Sequence, residues 1–306
     1  MKGRILLLTV FFSFSVENTK SQQIADTLYN PEILRPAYPD GSGSQILIDE
    51  GHNNFHTLNG RYYPFARLLV RDGYKLGPLE GSVTLEKLQN CKILVISNPL
   101  HDRNVENWFL PNPSAYRDEE IEVIGNWVNE GGALFLIADH MPFPGAAGGL
   151  AKYFGFDFYN GFAINQKRGQ PSVFELKNET LKMNVITSGR SPDEAVFKVV
   201  SFTGQAFQIP TDAEPILQFD DKHTLYMPDT AWVFNENTRI IDMNGWYHAA
   251  YKEFGNGRIV VAGEASMFSA QLAGPQQYKM GMNSPLAPEN YKLLLNIIHW
   301  LDRKLN

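Results

Sequence analysis

The sequence predicts an α/β protein with a mostly parallel sheet flanked by helices and a β-rich segment inserted in its second half. Three observations predict it. Short apolar runs at Ile46–Ile48, Lys92–Ser97 and Ala133–Ala138 alternate with helically spaced stretches, and strands alternating with helices build βαβ units. From about residue 156 to 252 this alternation gives way to short strand-like runs with few helix signals. A strongly apolar strand, Arg258–Ala262, and a final amphipathic helix, Pro288–Leu305, then close the body that begins at residue 45.

Taken in order, residues 24–44 are rich in Pro, Gly and Ser and form an extended lead-in. Ile46–Ile48 is the first strand. Tyr62–Asp72 places Phe65, Leu68 and Leu69 on one helix face, and Leu85–Gln89 is a short helix. Lys92–Ser97 has the continuous apolar pattern of a buried strand. Asp118–Val128 aligns Ile121, Ile124 and Trp127, and Gly131-Gly132 ends the helix as a glycine cap does. Ala133–Ala138 is a strand and Gly149–Phe154 a helix. In the middle segment Phe197–Phe202, Pro215–Phe219, His223–Met227 and Trp246–Tyr251 read as short strands. Gly255-Asn256-Gly257 is a hairpin-type turn. The division is therefore a signal sequence at 1–23, the lead-in, and one α/β domain at 45–304 with an insertion at about 156–252.

Composition narrows the function. Hydrophobic residues make up 43% and charged residues 20% of the 306 residues, which suits a packed globular body. The net charge of -6 and the lack of any basic run disfavour a nucleic-acid partner. Met1-Lys2-Gly3-Arg4 followed by apolar Ile5–Val16 and polar Glu17–Gln23 has the shape of a secretory signal peptide, with cleavage near Ser21–Gln23. The expected location is periplasmic or secreted, with no stable membrane insertion once the signal is removed. Cys91 is the single cysteine, so no intrachain disulfide can form.

Chemistry-bearing residues gather where predicted strands end, which is where a parallel α/β sheet collects its ligands. Asp49, Glu50, His52, Asn53, Asn54 and His56 follow the first strand. If that turn coils into a helix, His52 and His56 share a face, a spacing that suits proton transfer or two metal ligands. Asp139-His140 follows another strand and leads into a Gly-rich stretch containing Gly148 and Gly149, whose backbone N–H groups could meet an anion. His101 follows the strand Lys92–Ser97, and Glu264 follows Arg258–Ala262. Tyr247-His248 and His299 read as core positions, and Lys167-Arg168 as a solvated pair that could also bind an acidic substrate.

These residues carry a resemblance. Ile46–Gly51, the helix ending Trp127-Val-Asn-Glu-Gly-Gly132, the strand into Asp139-His140, and Val260-Val-Ala-Gly-Glu264 with Asn290, Asn296 and Trp300-Leu301 resemble the class I glutamine-amidotransferase-like superfamily. The likeness is to an uncharacterised branch near trehalose-utilisation-protein-like and gliding-motility-transporter-associated domains, over roughly residues 45–155 and 255–304. It implies a flavodoxin- or amidotransferase-like sheet. True amidotransferases carry a nucleophilic Cys at a strand–turn–helix elbow and a late His-x-Glu. Here the comparable turn holds Asp139-His140, so thiol-based glutamine hydrolysis is expected to be absent.

The expectation is an exported acid–base enzyme acting on oligosaccharides in polysaccharide degradation, with a lyase or dehydratase acting on uronate-containing sugars as one form. In it His52 or His140 is the base, His56 or Glu264 the acid or orienter, and Asp49 and Asp139 are orienters. Asn53, Arg61, His101, Gly148 and Gly149 would hold substrate. No cofactor is expected, a divalent metal being the variant that a metal-assisted hydrolase would need. The alternative is a non-catalytic carbohydrate- or protein-binding scaffold. The sequence does not fix the oligomeric state.

Overall fold

A computed structural model describes residues 23–306 except Arg168. The expected signal segment, all but its last residue, and the Arg168 half of the basic pair lie outside the described residues. No helix among the described residues is long and apolar enough to cross a membrane.

The centre is a nine-stranded mixed sheet. Its main strands are β1 (Gln45–Asp49), β2 (Lys75–Leu79), β3 (Ile93–Ser97), β4 (Ala133–Ile137), β5 (Tyr247–Phe254) and β6 (Gly257–Ala262). They lie in the order β2-β1-β3-β4-β6-β5. β2, β1, β3, β4 and β6 run parallel. β5 turns back on β6 through Gly255-Asn256, and Phe207–Gln208 and Glu214–Gln218 also pair antiparallel with β5. The sheet is thus less parallel than the sequence suggests. The reason is local: the β5–β6 connection is a hairpin, which can only join antiparallel neighbours.

Four helices of more than two turns cover the sheet: α1 (Tyr63–Arg71), α2 (Asp118–Asn129), α3 (Phe143–Tyr153) and α4 (Asn290–Leu301). Alternation along the strands sorts the core into two layers. Ile93, Val95, Phe135, Ile137 and Val260 pack with Phe65 and Leu69 of α1 and Leu294 and Ile298 of α4. Leu94, Ile96, Leu134, Leu136 and Val261 face the other way, against Ile124 and Trp127 of α2 and Leu150 of α3. The parallel strands are covered on both faces, which is why they read as unbroken apolar runs.

Several boundaries differ from expectation. Strand β2 is not evident in the sequence because Gly77 and Pro78 interrupt it; as an edge strand it tolerates a proline that a central strand would not. Helix α3 begins at Phe143, not Gly149. The β-rich segment is not one body. Its ends belong to the central sheet, while Phe162–Asn165, His223–Met227 and Arg239–Asp242 form a separate three-stranded sheet. Ser172–Glu175 pairs with Lys198–Ser201. The lead-in is tied down: Gln23–Ala25 pairs with Ala270–Ala273, and Ala37 N–H donates to Asp72 Oδ1 at 2.8 Å.

The chain leaves β1 toward β2 on one side and leaves β3 toward β4 on the other. The carboxyl ends of β1 and β3 therefore mark the switch point, the usual ligand position in such sheets.

Candidate functional site

Four of the five parallel strands deliver polar residues to this rim: Asp49 from β1, Ser97 and Asn98 from β3, Asp139 and His140 from β4, and Glu264 just past β6. Asn98 has φ 49, a left-handed conformation that Asn tolerates better than most residues. The turn it makes aims its side chain across the strands, where Oδ1 accepts the Asp139 N–H at 2.8 Å. Gly51 is required for a different reason. A Cβ there would lie 2.0 Å from the Gly81 carbonyl oxygen, so only glycine lets the loop after β1 pass the loop after β2.

At the β1 end, Asp49 is fully buried and its carboxylate is saturated. His52 Nδ1 lies 3.0 Å from both oxygens, Tyr116 Oη donates to Oδ2 at 2.5 Å, and Asn54 Nδ2 donates to the same oxygen at 3.1 Å. The other nitrogen, His52 Nε2, lies 3.2 Å from Glu120 Oε1. Glu120 sits in the first turn of α2 and also accepts from Val83 N and Arg117 N, the latter being half of a capping box. Burial alone would lower the His52 pKa, but the bonds and charges of Asp49 and Glu120 outweigh it and raise the value above 6.5. A carboxylate faces each ring nitrogen of His52, so the cationic form is favoured and neither nitrogen is free to act as a base on a substrate.

The segment between β1 and α1 does not coil into a helix, so His52 and His56 do not share a face. His56 is buried beside Tyr62, with ring centroids 4.6 Å apart. Burial, helped by the Arg61 charge, pushes its pKa down to about 3, so it stays neutral. Arg61 lies over the Phe55 ring at 3.9 Å. His56 Nδ1 and Arg61 Nε are both buried without a hydrogen-bond partner among the described residues.

At the other end of the rim, Glu264 is fully buried. Its Oε1 accepts from Phe202 N at 3.0 Å, Thr203 N at 3.1 Å and Ser266 Oγ, while Oε2 has no partner among the described residues. Burial and the nearby Asp139 charge raise its pKa to about 8, so the carboxyl keeps its proton at neutral pH. Asp139 Oδ1 accepts the His140 N–H at 2.8 Å. The His140 ring stacks on Phe162 at 4.5 Å and meets the edge of Trp232 at 4.6 Å. Its Nδ1 donates to the Met141 carbonyl oxygen at 2.7 Å, which leaves Nε2 as the acceptor nitrogen.

Trp232 also walls a cavity of about 470 Å³, shared with Tyr226, Phe234, Asn165, Gln170 and Ser172. None of its described lining residues is charged. Trp232 has φ 68, an outlier for so bulky a side chain.

The structure thus brings together Asp49 with His52, His56 with Arg61, and Asp139 with His140 and Glu264. It does not bring in the rest. Asn53 bonds Leu100 O and Asp102 Oδ1 and braces the outer loop. His101 Nδ1 accepts from Arg103 N and caps a short 3-10 turn. Gly148 and Gly149 lie inside α3, where their N–H groups belong to the helix, and Gly149 packs against α2 near Ile121. They are not an anion cradle. Cys91 is buried and its thiol pKa is pushed up to about 12, as befits a packing residue. Among the described residues no three or more His, Cys, Asp and Glu side chains converge as metal ligands. Tyr116, Glu120 and Trp232 are components that sequence reasoning missed. Only Glu120 left a trace, as an acid in a helix first turn.

Fold and rim together define an α/β protein with a buried polar rim at its strand ends. No family model matches the chain, and no curated protein matches it. Among solved structures it is similar to the mmIFT52 N-terminal domain, at 17% identity and TM-score 0.59, over 84% of this chain and 97% of that one. That likeness shows the fold alone. Also similar are a protein described as ThuA-like from Bacteroides uniformis, at 13% identity and TM-score 0.47, over 89% and 94% of the two chains, and a protein from Thermoplasma acidophilum described as GMP-synthase-like, at 12% and 0.41, over 85% and 94%.

Proposed function

We propose that the chain is an acid–base enzyme acting on hydroxylated ring substrates of the oligosaccharide class, with His140 as the proton acceptor. The observation that carries this reading is the bond from His140 Nδ1 to Met141 O, with the ring packed at 4.6 Å against Trp232, which walls an aromatic cavity that His140 itself does not line. Of the three histidines considered from the sequence, His52 has both nitrogens committed and His56 is held neutral in the core. Among these three, His140 alone keeps an acceptor nitrogen uncommitted while its ring touches a residue that walls the cavity. Glu264, whose pKa burial and the Asp139 charge raise to about 8, is a protonated carboxyl beside Asp139. Glu264 is fully buried, so it acts by setting the charge around Asp139 rather than by touching substrate.

Aromatic faces such as Trp232 and Tyr226 suit sugar rings, and the uncharged lining suits hydroxyls. A dehydratase acting on a uronate would need a cation. Arg61 is the nearby cation, but the rings of Phe55 and Phe143, with centroids 5.5 Å apart, stand between it and His140. Export to the periplasm or beyond belongs to the same proposal and rests on the sequence of residues 1–23. The metal-assisted alternative has no group of three ligands among the described residues to rest on.

A second reading, a binding scaffold without chemistry, draws on the exposed run Trp232, Val233 and Phe234. Incubation of the purified protein with neutral and acidic oligosaccharides, followed by mass spectrometry, separates the two. Loss of water or gain of water, absent in His140→Gln, supports the enzyme. Unchanged sugars across the panel support the scaffold.

A further inference from the structure

A different trio of residues, of which Ser172 lines the same cavity, has the connectivity of an activated serine. Ser172 Oγ lies 3.0 Å from His223 Nε2, and His223 Nδ1 lies 2.8 Å from Asp220 Oδ1. We propose that Ser172 is a nucleophile, with His223 as its base and Asp220 as the group that orients His223, and that it cleaves esters of short acyl groups.

The fold builds this arrangement from separate pieces. Ser172 opens a strand that pairs with Lys198–Ser201, and His223 opens one that pairs with Phe162–Asn165. Asp220 sits in the turn just before His223, and its carboxylate is further held by Lys222 Nζ at 3.0 Å and Lys222 N at 3.1 Å. The lysine contacts and the His223 bond, working against partial burial, keep Asp220 below the usual carboxylate range and therefore ionised. With Asp220 accepting from Nδ1, His223 presents the lone pair of Nε2 to the serine, the tautomer that nucleophilic catalysis needs. Phe219, at 4.9 Å, and Phe174 pack on the His223 ring, and burial lowers its pKa, so the ring is neutral and able to accept a proton.

A core histidine satisfied at both ends would show the same two bonds. What distinguishes this one is the position of its serine. Ser172 is part of the wall of the 470 Å³ cavity, a volume that suits a small organic ligand. Asn165 and Gln170 stand on that wall too and carry amide N–H groups, the donor type that steadies an oxyanion. The uncharged aromatic lining fits a neutral ester of a ring alcohol.

The step balances without a cofactor. Ser172 Oγ bonds to the ester carbonyl carbon while its proton passes to His223 Nε2. The ester C–O bond then breaks, and the alcohol leaves with that proton. Water attacks the acyl-serine by the same route and releases the carboxylic acid.

The test uses the full chain, a fluorophosphonate probe and p-nitrophenyl acetate. The expected result is covalent label on the peptide containing Ser172, and a fall of at least about 100-fold in kcat/KM for Ser172→Ala, with a comparable fall for Asp220→Asn at unchanged KM. Absence of label, label on another serine, or ester hydrolysis undiminished in Ser172→Ala overturns the proposal. Ser172→Cys guards against a folding artefact, because the only other thiol, Cys91, is buried. Its new thiol is expected to react with iodoacetamide faster than free cysteine, and a rate no faster also overturns it.

Discussion

His140 Nδ1 donates to the main-chain oxygen of Met141 at 2.7 Å, and this bond leaves the opposite ring nitrogen, Nε2, to accept a proton. The protein thus differentiates its rim histidines by their partners. His52 is locked between carboxylates, and His56 is stripped of water. His140→Gln is expected to lower turnover about 10²-fold or more while leaving the thermal midpoint nearly unchanged. Steady-state kinetics on a substrate found by the oligosaccharide panel, set beside a melting curve, checks this.

His52 contributes stability rather than proton transfer. Its folded pKa is raised above 6.5, so its contribution is complete below the unfolded value and is lost as pH rises through the folded value. His52→Gln leaves Asp49 and Glu120 without their shared cation and is expected to cost about 3 kcal/mol near pH 6. The gap from wild type should narrow as pH climbs. Urea unfolding of both proteins across that range measures it, and a gap that widens with pH would refute the assignment.

Glu264 gives a pH dependence of the same sign through a different group. Its carboxyl holds a proton up to about pH 8 in the folded chain, whereas an ordinary glutamate loses it near 4.5. Wild-type stability should fall as pH rises through that window. Glu264→Gln, neutral at every pH, is expected to remove the fall and to exceed wild type by on the order of 1–3 kcal/mol at alkaline pH. Thermal or chemical unfolding at matched pH values is the measurement.

Asn98 is constrained twice, by φ 49 and by its bond to the Asp139 N–H. Asn98→Ala should lose both features and cost about 2 kcal/mol. Asn98→Gly accepts the backbone conformation and should cost less than alanine. The reverse order in unfolding free energies would mean that the turn is not strained.

Much of the scaffold was legible because the signals were local. The apolar runs of β1, β3, β4 and β6 and the 3.6-residue spacing of α1, α2 and α4 appear within a few residues of one of their boundaries or the other. Strand β2 was hidden because an edge strand tolerates Gly77 and Pro78. The polar clusters at strand ends were legible for the same reason, and Asp49, Asp139, His140 and Glu264 do lie along one rim. Their roles were not. The hydrogen bonding of His52 depends on Glu120, 68 positions away, and the exclusion of Gly148 and Gly149 depends on a helix that starts at Phe143, before both of them. Equally, Ser172, Asp220 and His223 carry no motif; their meeting depends on which short strands pair.

The most direct test needs no substrate. Nitrogen-15 NMR of the imidazoles, with His140 and His52 assigned by substitution, reads which ring nitrogens carry protons near neutral pH. The account predicts that neutral His140 carries its hydrogen on Nδ1 and leaves Nε2 bare, while both nitrogens of His52 are protonated. A neutral His140 with its hydrogen on Nε2, or a His52 with one bare nitrogen, would contradict it.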